Sequence, residues 1–165
     1  MYEIQPTKEY LVGIDSDGCA FDTMELKHKE CFIPNTIKYY NLQAISKYAR
    51  EAAEFVNLYS KSRGINRFPA LVESLEWLQK RPEVAARGVT VEIPQALIDW
   101  IEQETKLGNP ALEAKVAETN CPDLKHALEW STTVNDTVAE MVHGVSPFPL
   151  VRESLNKLAE KCDML

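Results

Sequence analysis

The class this sequence predicts is an α/β fold, with a Rossmann-type parallel-sheet core only partly present and a large all-α domain inserted after the first strand. Three observations predict it. A short apolar run near the N-terminus ends in two aspartates and a glycine, a long middle stretch carries helical periodicity, and a proline-rich re-entry leads into one more helix and a short apolar tail.

Tyr10 to Ile14 has the length and β-branched content of a buried strand, and Gly18 ends it by permitting a backbone turn that other residues resist. Asp15 and Asp17 therefore lie at the carboxyl end of a strand, the edge at which open parallel sheets bind ligands. A helix is expected from about Thr23, with Asp22 as its N-cap and Glu25 in its first turn. Leu42, Ile45, Tyr48, Ala49, Ala52, Phe55, Val56 and Tyr59 then keep the three-and-four spacing of one apolar helix face. Pro69 opens a second helix that runs through Leu71, Val72, Leu75 and Leu78 and closes at Arg81-Pro82. Pro94 opens a third, carried by Leu97, Trp100 and Ile101, and two further amphipathic stretches follow, near Leu124 to Trp130 and near Val134 to Val142. Ser146-Pro-Phe-Pro149 is a stiff re-entry. Beyond it Val151, Leu155 and Leu158 line one side of a helix ending near Lys161, and Asp163 to Leu165 begins a second strand. The domain organisation that results is 1–22 for the first part of the core, 23–145 for the helical insertion and 146–165 for the return to the core.

Composition narrows the function classes. At 165 residues the chain can bury one good core, and its formal net charge of -7 argues against a sequence-independent nucleic-acid binder, which needs a cationic face. A signal pattern and an apolar run long enough for a membrane span are both missing from the sequence, so a cytoplasmic location is expected. Cys19, Cys31, Cys121 and Cys162 are scattered without a Cys-x-x-Cys pair, which favours reduced thiols. His28 with Cys31 and Cys121 with His126 could form a Cys₂His₂ zinc set only if the helices brought the two pairs together, and simple burial of these cysteines is favoured. His143, beside Gly144, reads as a helix C-terminal residue rather than a catalytic base.

The aspartate pair has rival readings. An EF-hand calcium loop also begins Asp-x-Asp, but Cys19, Ala20 and Leu26 stand where that loop needs an acid or amide, a glycine and a glutamate. A turn in which both acids merely cap backbone groups is the bland alternative.

The whole segment Tyr10-Leu-Val-Gly-Ile-Asp-Ser-Asp-Gly-Cys-Ala-Phe-Asp-Thr23 resembles motif I of the haloacid dehalogenase-like (HAD) phosphohydrolases: an apolar strand, Asp-x-Asp-Gly, and a trailing Asp-Thr. The resemblance implies that Asp15 attacks phosphorus to form an aspartyl-phosphate, and that Asp17 protonates the leaving alcohol and later deprotonates the hydrolytic water. It also implies that Asp15 and Asp17 hold Mg²⁺, through the first carboxylate and the second backbone carbonyl. The helical block following motif I looks like the cap domain of one branch of that family. Lys27, Arg63, Asn66 and Arg67 are its candidates for touching a small phosphorylated substrate, arginine being suited to planar anions. A mutase or phosphonate hydrolase is a nearby variant of the same framework.

The family's later motifs, a phosphate-binding Ser or Thr, a Lys and further acids, find no match here. The resemblance therefore implies a chain incomplete for catalysis, with feeble phosphatase activity alone, whose lone core strand needs the remainder of the core or self-association to cover it. The alternative from another class is a non-catalytic helical interaction or scaffold protein that retains the motif as a structural turn.

Overall fold

The computed structural model of the chain describes residues 5–165. Two compact units emerge, one from residues 5–26 and 142–165 and the other from residues 27–141. The divisions expected from the sequence, at 22/23 and 145/146, each lie four residues from these.

The expected fold class is corrected. The chain is mostly helical, at 61% helix, and among the described residues its sheet has two strands, without a substantial Rossmann-like α/β core. The physical reason lies in where strand-forming sequence occurs. A doubly wound sheet needs several strand-and-helix repeats, whereas among the described residues the sheet consists of β1 (Tyr10–Val12) and β2 (Cys162–Met164). Even β1 is not the buried strand its composition suggests, since Tyr10 and Leu11 are 60% and 58% exposed.

Nor is β1 alone. It pairs in parallel with β2 in the register Tyr10 to Cys162, Leu11 to Asp163 and Val12 to Met164. Backbone bonds from Leu165 N to Val12 O, 3.1 Å, and from Ile14 N to Leu165 O, 2.8 Å, carry the ladder to the residue before Asp15. Helix α9 (Val151–Ala159) leads into β2, while α1 (Met24–Leu26) is a single turn. Asp163 fastens the N-terminal segment to β2, accepting from Thr7 N at 2.7 Å, Thr7 Oγ1 at 2.5 Å and Lys8 N at 3.0 Å.

The helical unit packs by itself around its own core. A π-helical segment Lys27–Phe32 runs into α2 (Ile33–Tyr39), and a 3₁₀ turn Gln43–Ile45 precedes α3 (Ser46–Glu54) and a second π-helical segment Phe55–Tyr59. Then come α4 (Arg67–Gln79), α5 (Pro82–Ala85), α6 (Gln95–Gln103), α7 (Asn109–Thr119) and α8 (Pro122–Met141). The two stretches expected over Leu124–Val142 are thus one helix: Thr137 bonds back to the Thr133 carbonyl and Ser131 is buried, so the Ser-Thr-Thr run does not interrupt it. Helix α7 escapes a periodicity reading because only Leu112 of it is buried. The centre is aromatic, with Phe68 edge-on to Trp100 at 5.1 Å and to Trp130 at 6.2 Å. Edge-to-face pairs contribute about 0.5–1.5 kcal/mol beyond area burial.

The three donors on Asp163, the Thr7 hydroxyl first and then the backbone N–H of Lys8 and of Thr7, hold its carboxyl below its ordinary 3.8. Because the folded value is depressed, this contribution to stability is present above the ordinary carboxylate range and is lost as pH falls through the depressed value. Asp163→Asn is therefore expected to melt lower than wild type at pH 7, with the gap closing below the carboxylate range. A gap unchanged across a pH series of melting curves would exclude this role.

Candidate functional site

Immediately after the β1–β2 ladder the chain makes a tight turn that carries both aspartates. Ser16 O accepts from Ala20 N at 3.0 Å and Phe21 N at 2.9 Å, and Gly18 N donates to Phe21 O at 2.8 Å. Gly18 sits at φ +69°, in the left-handed region, and a Cβ there would lie 2.9 Å from Met24 Cγ. Glycine meets both constraints. The turn is fastened to the re-entry segment, where Phe148 N donates to Ala20 O at 3.0 Å and Phe21 forms an antiparallel bridge with Pro147.

This backbone gives the two acids different surroundings. Asp15 is exposed directly past the ladder, whereas Asp17 is half-buried and accepts a 2.5 Å hydrogen bond from the buried Thr23 hydroxyl. The aspartate free to meet a ligand and the aspartate held by the protein are thus separate groups on one turn. Asp22 is exposed and the helix starts at Met24. The oxygen donors here, two carboxylates and backbone carbonyls, suit Mg²⁺, which takes one or two carboxylates and completes its shell with water and substrate oxygens. Among the described residues no group of three or more His, Cys, Asp or Glu side chains is arranged to hold a metal ion.

The residues expected to touch substrate from the helical unit divide three ways. Arg63 is exposed on the loop before α4. Asn66 is the N-cap of α4, its Oδ1 accepting from Phe68 N at 3.0 Å while its Nδ2 donates to Leu107 O at 2.9 Å, so both ends of its amide serve the fold. Arg67 reaches α8, donating from Nη1 to Ser131 O at 3.2 Å, Ser131 Oγ at 3.1 Å and Asn135 Oδ1 at 2.7 Å. The zinc candidates stand in other roles: Cys31 is fully buried, His126 Nε2 bonds to the Tyr39 carbonyl at 2.8 Å, and all four cysteines are free.

Sequence reading did not single out Phe32, Ser131 and Asn135 around Arg67, or the burial of His28. No sequence signal marks them, because the Arg67 partners on α8 lie 64 and 68 positions away. The Thr23 contact to Asp17 is a different case, since the trailing Asp-Thr was visible and only its hydrogen bond was not. No protein-family model, curated protein or solved structure matches the chain. Among the described residues no helix is long and apolar enough to cross a membrane.

Gly18→Ala is expected to cost about 1–2 kcal/mol in chemical denaturation, from left-handed strain, with Met24 forced to move. Thr23→Val removes a charge-assisted bond and should cost about 1–3 kcal/mol by the same measurement. Neutrality of either variant would contradict the turn geometry.

Proposed function

We propose that the turn from Asp15 to Thr23 is a phosphoryl-transfer site of the haloacid dehalogenase type, acting on a small phosphomonoester. The observation that carries this reading is the division between an open Asp15 and a Thr23-held Asp17 on one glycine turn at the carboxyl end of a parallel strand. Asp15 is the nucleophile: its carboxylate oxygen forms a bond to phosphorus as the ester oxygen leaves. Asp17 gives its proton to that leaving oxygen, and the Thr23 hydroxyl holds the carboxyl in place for the transfer. In the second half Asp17 takes a proton from water, whose oxygen attacks phosphorus and releases inorganic phosphate, restoring Asp15. The Asp15 carboxylate and the Asp17 backbone carbonyl are the groups that would hold Mg²⁺, which when bound would neutralise charge on the phosphoryl oxygens. Positioning and electrostatics are the main work that phosphoryl transfer asks of a protein, and a preorganised turn suits it.

The second reading is a helical interaction protein in which the turn is structural. It is favoured by the exposed Trp77 set edge-to-face against the exposed Phe55 at 4.8 Å, an aromatic pair on the surface of the helical unit.

Beryllofluoride with Mg²⁺, a mimic of a phosphorylated aspartate, separates the two without requiring turnover. A ligand at ~100 times its Kd adds about 2.7 kcal/mol of stability to the state that binds it. Wild type should therefore melt higher with the mimic than with Mg²⁺ or fluoride alone, and Asp15→Asn should not respond. A wild type that does not respond, or an Asp15→Asn variant that responds equally, would sink the phosphoryl-transfer reading.

A further inference from the structure

Arg67 is held as firmly as a core residue and yet spends only part of its hydrogen-bonding capacity. All three of its bonds leave from Nη1, to Ser131 O, Ser131 Oγ and Asn135 Oδ1. Its guanidinium carbon lies over the Phe32 ring at 5.0 Å from the centroid, and Phe32 is itself braced by His28 at 4.9 Å and by Trp130 at 6.3 Å. Ser131 Oγ is fixed in turn, donating to Asn109 Oδ1 at 2.6 Å, which leaves it free to accept from Arg67. The Nε and Nη2 donors, which form the side-on edge of the guanidinium fork, have no partner among the described residues, and no described carboxylate forms an ion pair with this arginine.

A half-buried cation without a counter-anion is unusual, because arginine cannot shed its proton to escape the cost of desolvation. Burial pulls its affinity for the proton down but leaves it charged. A second unsatisfied group lies within its field. His28 is 8% exposed, and its Nδ1 is buried without a hydrogen-bond partner. Burial first, then the positive charges of Arg67 and Lys27, draw its pKa down to about 4, so the ring is neutral at pH 7 and adds no second charge. The internal cavity beside Arg67, bounded also by Thr36, Asn57, Ser74 and Trp130, measures about 10 Å³. That is space for one water and not for an oxyanion, so a ligand must come to the solvent-facing edge of the guanidinium.

We propose that Arg67, braced by Phe32, Ser131 and Asn135, anchors an oxyanion-binding site in the helical unit that takes a carboxylate or phosphate group side-on across Nε and Nη2. Two parallel N–H donors match two oxygens of such a group, which a lysine ammonium cannot reproduce. Preorganisation lowers the ordering cost of binding, since the Nη1 bonds and the Phe32 stack already immobilise the side chain. A purely structural arginine would be explained by the Nη1 bonds alone; the open fork edge and the missing counter-anion are what a ligand accounts for. This site lies wholly in residues 27–141 and does not depend on the phosphoryl-transfer reading of the Asp15 turn.

Inorganic phosphate and acetate, each titrated into the full chain at constant ionic strength with chloride as the control, test the site through the Arg67 Nε–H resonance in wild type and, for the comparison with Arg67→Lys, through the side-chain amide resonance of the neighbouring Asn135 in both proteins. The expected result is a saturable shift with one or both oxyanions and none with chloride, weakened about tenfold or more in Arg67→Lys, which keeps the charge but loses the fork. A response to phosphate alone identifies a phosphoryl ligand, and a response to acetate alone a carboxylate; either supports the site. Absence of a saturable shift in wild type, a shift that chloride reproduces, or binding undiminished in a folded Arg67→Lys protein overturns it. Should Arg67→Lys lose its helical circular dichroism, the wild-type resonance decides by itself.

Discussion

The parallel pairing of β1 with β2 is the constraint on which the two-aspartate turn depends. It joins residues about 150 positions apart, and closing a flexible loop of that length costs on the order of 4–5 kcal/mol. Several interactions set against this cost lie within the same unit: the ladder itself, the Phe148 to Ala20 bond and the clasp of Asp163 on Thr7 and Lys8. Because the ladder extends through Ile14 to Leu165, the strand direction is held up to the residue before Asp15. Everything chemical about the turn follows from that fixed exit: Gly18 reverses the chain, and Thr23 comes back to meet Asp17.

The helical unit solves a different problem. Its core is large and aromatic, and many of its buried polar side chains are satisfied locally. Asn35, Thr36, Ser60 and Ser74 each bond back to the carbonyl four residues earlier, so they can face the interior without a distant partner. The exceptions stand out against that background. His28 Nδ1, Tyr40 OH and Trp100 Nε1 are buried without partners, and Arg67 is cationic without a counter-anion. Of these, His28 and Arg67 share the Phe32 ring. His28 Nδ1 is the buried unpartnered atom of that neighbourhood, while the open edge of the Arg67 guanidinium faces solvent.

Much of the helical architecture is legible in the sequence. Pro69 and Pro94 stand at or just before the first turns of α4 and α6, and the stripe from Leu42 to Tyr59 marks the segment built on α3, because helix faces repeat at short spacing and prolines are tolerated at their starts. The extent of the sheet was not legible in the same way. An apolar run bounded by a glycine looks alike whether it lies in the middle of a wide sheet or in a two-stranded pair, and the difference depends on how many partners the remaining chain supplies. Local patterning did not mark α7, of which only Leu112 is buried, and it divided α8 at a serine and threonine run that tertiary contacts hold helical.

For the candidate sites the same division holds. Asp15, Asp17, Gly18 and Thr23 lie within one short segment, so their identities and order were sufficient to mark a turn with paired acids. The sequence by itself determined those residue types, the positions of the stronger helices and the acidic balance, all of which are local or additive properties. Tertiary structure alone decided that Asp15 is open while Asp17 is held, that Asn66 caps α4, and that Arg67 meets α8 with half its fork unused. Those outcomes are distances and burials between side chains whose separation along the chain carries no signal, and only packing brings them together.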